Sequence, residues 1–222
     1  MKHTANMFCY QCQETAGCKG CTISGVCGKQ PDVAAMQDLL IYVTKGLAAV
    51  TTQLREESSP VPLEASRMVL TNLFTTITNA NFDKEAIIAR IEETLTQKEE
   101  LLSSVKNSDC LPEAALWNGK RKEFEEKASC VGVLSTENED IRSLRELITY
   151  GLKGLAAYAK HASVLRKEDP KINAFLEHAL AAVLDDRLSA DDLTALALKT
   201  GEYGVQTMAL LDEANTQAYG SP

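Results

Sequence analysis

From Pro31 onward the apolar residues Val33, Met36, Leu39, Leu40, Val43, Leu47, Val50 and Leu54 recur at steps of three and four. This spacing draws one stripe along a helix of about six turns, which Ser58-Ser59-Pro60-Val61-Pro62 brings to an end. Met68, Leu70, Leu73, Phe74 and Ile77 mark a second helix, broken at Asn79-Ala80-Asn81, and Ile87, Ile91, Leu95, Leu102 and Val105 mark a third. Periodicity then lapses over 107–135, where Pro112, Gly119 and Gly132 punctuate a connector expected to hold at most one short helix.

The helical pattern resumes at Thr136-Glu137-Asn138-Glu139, which has the spacing of a capping box with Thr136 as the cap. Ile141, Leu144, Leu147, Ile148, Leu152 and Leu155 follow on one face. Asp169-Pro170 pairs a capping residue with a proline at the first helical position, and opens a helix carrying Ile172, Phe175, Leu176, Leu180 and Val183. Ser189 caps a last helix through Leu193, Leu196, Val205, Met208 and Leu211.

The two helical stretches share a string. Residues 38–49, DLLIYVTKGLAA, align without gaps on residues 146–157, ELITYGLKGLAA, and seven of the twelve positions are identical. No stretch alternates as a strand would. The expected fold is all-α: two three-helix bundles related by internal duplication, over 31–106 and 136–222, joined by the connector 107–135 and preceded by a cysteine-rich segment over 1–30.

Composition adds little to the fold but restricts function. The 222 residues are 45% hydrophobic, enough for a packed core, and carry a net charge of −8. That balance argues against nucleic acid and against an anionic membrane surface as partners. No stretch approaches the roughly 18 unbroken apolar residues of a membrane span, and the first residues lack the apolar run of a secretory signal. A cytoplasmic location is the expectation. The negative charge is unevenly spread: Lys2, Lys19 and Lys29 face Glu14 alone in the first 30 residues.

That same segment holds five of the seven cysteines, Cys9, Cys12, Cys18, Cys21 and Cys27. Thiolates so crowded repel one another and oxidise readily unless a cation or cluster shares their charge. Two ligand sets can be drawn. The pairs Cys9/Cys12 and Cys18/Cys21 suit zinc by ligand type, but only five residues separate them, against about 15–20 in zinc ribbons. Cys9, Cys12, Cys21 and Cys27 are spaced more widely and unevenly, which favours an iron-sulfur cluster, and the glycines at 17, 20, 25 and 28 let backbone amides come near sulfur.

Met7-Phe8-Cys9-Tyr10-Gln11-Cys12-Gln13-Glu14-Thr15-Ala16, with Gly20-Cys21-Thr22 and Gly25-Val26-Cys27-Gly28-Lys29, closely resembles the amino terminus of the hybrid-cluster proteins, also called prismane proteins or hydroxylamine reductases. The resemblance continues through residues 73–81, 136–147 and 208–216. It implies that Cys9, Cys12, Cys21 and Cys27 hold a 4Fe-4S cluster, and it leaves Cys18 outside the ligand set. It also implies two later domains that carry the hybrid cluster, whose ligand positions this chain lacks.

The resemblance therefore implies an electron-transfer domain of an enzyme that reduces hydroxylamine to ammonia, with nitric oxide reduction also proposed for the family. Its partners would be the C-terminal catalytic domains and an unidentified electron donor, with neither nucleic acid nor membrane. The alternative is a non-redox helical interaction module whose cysteines form a four-thiolate zinc site. His161 and His178 have no ligand-spaced companion, and Glu137, Glu139 and Asp140 suit a helix start better than acid-base chemistry. Phe8 and Tyr10 flank the ligands and can shield them from water, while Cys110 and Cys130 are structural or incidental.

Overall fold

The computed structural model describes residues 7–221. Eight α-helices follow the cysteine segment: α1 Pro31–Glu56, α2 Leu63–Thr75, α3 Lys84–Leu102, α4 Glu113–Leu116, α5 Phe124–Val131, α6 Glu139–Val164, α7 Pro170–Ala182 and α8 Ala190–Tyr219. Among the described residues no strand forms, and the one β-type pairing is an isolated antiparallel bridge between Cys9 and Cys21. The fold is all-helical.

The helix starts follow local chemistry. Asp83 caps α3 by accepting from the Ala86 amide, Asp169 caps α7 through Lys171, and Ser189 forms a reciprocal box with Asp192 at α8. At α6 the cap is Asn138, which accepts from the Ile141 amide, and not Thr136. The Thr136 carbonyl oxygen instead accepts from the Arg142 guanidinium at 3.0 Å, and the helix begins two residues later than the Thr-Glu spacing predicts.

Helices of the two stretches correspond in length. α1 and α6 each have 26 residues and begin at positions separated by the same offset as the repeated string; α2 and α7 each have 13. Packing runs across as well as within the triplets: α1 lies against α3 and α7, while α6 lies against α8 and α2. Leu47, Val69 and Leu73 accordingly share one apolar cluster with Ile148, Leu152, Leu176, Leu180 and Leu193. Each such side chain contributes roughly 1.5–3 kcal/mol by leaving water. A buried polar tie joins the same helices, with Glu177 of α7 accepting from Arg55 of α1 at 2.8 Å and from Ser66 of α2 at 2.5 Å.

The connector holds more structure than its lost periodicity predicts. α4 and α5 are too short to show a stripe, and tertiary contacts fix them: Lys98 of α3, fully buried, donates to the carbonyl oxygens of Ala114 at 2.7 Å and Trp117 at 2.6 Å. Phe124 at the head of α5 is 1% exposed in a cluster with Val43, Ile91 and Leu95.

α1 is the helix most enclosed by the rest. By length and composition alone it could cross a membrane, with a window of mean hydropathy 1.4, but 78% of that window is buried inside the protein. Counting unbroken apolar residues misses it because Gln37, Asp38, Thr44 and Lys45 interrupt the run.

Candidate metal centre

The cysteine segment folds over the pole where α1 begins and α2 ends, against the middle of α6. Cys9 and Cys21 exchange backbone hydrogen bonds at 3.1 and 2.8 Å, which closes the intervening residues into a loop. Met7 and Cys21 are buried against Ala34 in the first turn of α1. The Tyr10 ring meets Tyr150 of α6 edge-on at 6.0 Å, and Gln11 accepts from the Lys153 ammonium at 3.2 Å.

Two glycines are demanded by close approach. A Cβ at Gly20 would lie 2.6 Å from the Phe8 ring, and its φ of +153° is one that other residues seldom adopt. A Cβ at Gly25 would lie 3.0 Å from the Cys27 sulfur.

Donors converge on the thiols. The Cys21 thiol is held below its ordinary pKa chiefly by the backbone amides of Ala16 and Val26, against the effect of its burial, with the Thr15 hydroxyl and the Lys29 ammonium adding to the same direction. The Ala16 amide donates to Cys21 Sγ at 3.5 Å. Thr15 donates to the Cys9 carbonyl oxygen at 3.0 Å and its hydroxyl lies 3.7 Å from Cys21 Sγ. Lys29, almost wholly buried, places Nζ 3.9 Å from Cys9 Sγ. Amides and an ammonium aimed at sulfur stabilise thiolates over thiols.

None of the seven cysteines is paired in a disulfide. Cys21 is buried, Cys9 and Cys12 are half-buried and Cys27 is exposed within the same loop. Cys18 is exposed and sits in the left-handed region at φ 56°. Among the described residues no three of His, Cys, Asp or Glu converge into a site for a single metal ion. Cys110 and Cys130 are exposed in the connector, far from the loop in sequence. His161 and His178 are both exposed, His161 packing edge-on to Phe74 at 5.6 Å. Glu137, Glu139 and Asp140 are exposed around the start of α6.

The charges under the loop escape a search for ligand spacing. Lys29 and Lys153 are buried, and Asp38, Lys45 and Glu146 stand nearby on α1 and α6. The clue in the sequence is the repeat itself, which superposes Asp38 on Glu146 and Lys45 on Lys153 in the middle of apolar stripes.

Comparison with known proteins decides the family. The profile of the Prismane/CO dehydrogenase family matches residues 7–222. The chain belongs to this family. It is 57% identical to "Hydroxylamine reductase" of Clostridium perfringens, over 98% of this chain and 41% of that protein. Relatives of the same name in Desulfovibrio desulfuricans and Acetivibrio thermocellus are 55% and 54% identical, over 97% and 98% of this chain and 40% of each relative. The chain thus spans about two fifths of the length of the curated prismane-family relatives it matches.

Proposed function

We propose that this chain is the N-terminal electron-relay domain of a hydroxylamine reductase, with Cys9, Cys12, Cys21 and Cys27 holding a 4Fe-4S cluster. The observation that carries the reading is the treatment of sulfur in the loop: Cys21 accepts from backbone amides, Cys9 faces a buried ammonium, and Gly25 leaves room at Cys27. Such donors fit an anionic, thiolate-held group and tune its potential. When bound, the cluster would supply one-electron chemistry. The chain's own residues would anchor it through four thiolates, donate hydrogen bonds to sulfur, and cover one side with Phe8 and Tyr10, whose rings pack 5.2 Å apart.

On this reading the reduction of hydroxylamine to ammonia, and of nitric oxide if it occurs, belongs to the remaining three fifths of the longer protein, which would also carry the hybrid cluster. We assign the chain to the cytoplasm, where a separate electron donor would feed the cluster. The six long helices form two duplicated three-helix units, over 31–106 and 136–222, a reading supported by the equal lengths of α1 and α6 and of α2 and α7. The surface we assign to the catalytic domains is the groove of about 390 Å³ between α6 and α8, lined by Leu144, Leu147, Leu155 and Leu198.

Anaerobic reconstitution followed by iron and sulfide analysis tests the cluster. About four of each per chain are expected, lost in Cys12→Ser and retained in Cys18→Ser. One tightly held zinc without sulfide would overturn the reading in favour of a non-redox helical interaction module. Loss of the cluster in Cys18→Ser would overturn the ligand set.

A further inference from the structure

Two ammonium groups are withdrawn from water beneath the cysteine loop. Lys29 is 4% exposed and Lys153 is 2% exposed. Among the described residues neither makes an ion pair with a carboxylate. Lys29 points to Cys9 Sγ at 3.9 Å and lies over the Phe82 ring, 5.9 Å from its centroid. Lys153 donates to Gln11 Oε1 at 3.2 Å and to the Thr76 carbonyl oxygen at 3.1 Å, both neutral acceptors. Burying a cation without a paired anion is strongly unfavourable. Glu146 and Asp38 act on Lys153 only from beyond ion-pair distance and Lys29 has the Cys9 sulfur in front of it, so negative charge on the loop would stabilise both cations.

We propose that Lys153 and Lys29 are positioning residues for the cysteine loop, forming a buried cationic floor that holds Gln11 in place between Cys9 and Cys12 and favours the more negative, reduced state of the bound cluster. The inference rests on the cluster reading given above. The step concerned is a one-electron reduction in which no bond is made or broken; in the test dithionite supplies the electron. Added negative charge at the loop is stabilised by the two ammonium groups and opposed by the Glu146 carboxylate of α6 and, above about pH 7 where it ionises, by Asp38 of α1. Glu146, Asp38, Lys29 and the Cys9 thiol all act on Lys153 electrostatically. Lys153 has a repeat counterpart in Lys45, but Gln11 ties only Lys153 to the loop.

The test is an anaerobic redox titration of the reconstituted chain, followed by visible absorbance and electron paramagnetic resonance. Lys153→Met should disfavour reduction at least tenfold, a fall of about 59 mV for one electron, while Lys153→Arg stays within threefold of the parent. Glu146→Gln should shift the potential the opposite way. An unchanged potential in Lys153→Met at full iron and sulfide content would overturn the role of the lysine, whereas a parent chain that takes up no iron or sulfide would overturn the cluster reading. Should Lys153→Met lose its iron, Lys153→Gln and Lys29→Met decide: a lowered potential in either, at full iron and sulfide content, supports the floor, and an unchanged or raised one in both, or loss of iron in both, refutes it.

Discussion

α1 and α6 share a length and a string of sequence but occupy opposite environments. Leu39 is wholly buried in α1, whereas Leu147, its counterpart in α6, is 58% exposed. A Cβ at Gly46 would strike the backbone of Ala114, and one at Gly154 would meet nothing within 4 Å. The difference lies in the connector. Lys98 pins α4 against α1, while the equivalent side of α6 is left to α8 and to an uncovered apolar groove. The same local code therefore yields a central helix in one place and a half-covered one in the other. What surrounds a stripe, not the stripe, sets its burial.

The largest separation between the two helices should come from their paired leucines. Leu39→Ala removes a side chain with no exposure from a cluster that includes Val43, Ile87 and Phe124, and a loss of roughly 2–5 kcal/mol is expected. Leu147→Ala should stay within about 0.5 kcal/mol in this chain, as exposed substitutions do. Urea unfolding of the two variants measures both. Equal losses would mean that α6 is as enclosed as α1.

The paired glycines give a smaller contrast with a change of sign. Gly46→Ala drives a methyl group into the Ala114 carbonyl oxygen, so α4 must move, at a cost of roughly 1–3 kcal/mol. Gly154→Ala has open space and lies inside a helix, where replacing glycine gains roughly 0.5–1 kcal/mol. Thermal unfolding should move down for the first and up for the second. A fall for both would place an unseen contact on Gly154.

Most of the helical architecture is legible in the sequence, because the six long helices carry stripes and their caps are short-range chemistry. Asp83, Asp169 and Ser189 act where the local rules place them. The exposure of Leu147, Val205 and Met208 is not legible, since each fits an apolar stripe and only the packing of α8 on α6 reveals that one side has no cover. α4 and α5 are hidden for the opposite reason: they are held by Lys98 and by the burial of Phe124, contacts made across long separations in sequence. At the loop, spacing draws attention to the cysteines, whereas Lys153 lies 142 residues beyond its partner Gln11 and carries no motif. A buried cation in a helix interior becomes informative only once its neighbours are known.

The last contrast concerns Asp38, the α1 member of the Asp38–Glu146 pair. Burial pushes its carboxyl up to about 7, against the opposing pull of Lys153. Between about pH 4 and 7 the unfolded chain gives up this proton while the folded chain keeps it. The folded state then binds more protons, and stability falls as pH rises through that window. Lys153 acts at higher pH, where burial brings its ammonium down to about 8 and the folded state loses the proton first, so stability recovers as pH rises above that value. Asp185, drawn down to about 2 mainly by its hydrogen bond from Arg187, contributes only below about pH 4 and leaves the window clear. Asp38→Asn should therefore flatten the decline between pH 4.5 and 7 in the metal-free chain, read as urea midpoints at the two ends. Parallel curves for the parent and Asp38→Asn would show that the Asp38 carboxyl ionises in the folded chain as it does in the unfolded one, and would remove this distinction between the two helices.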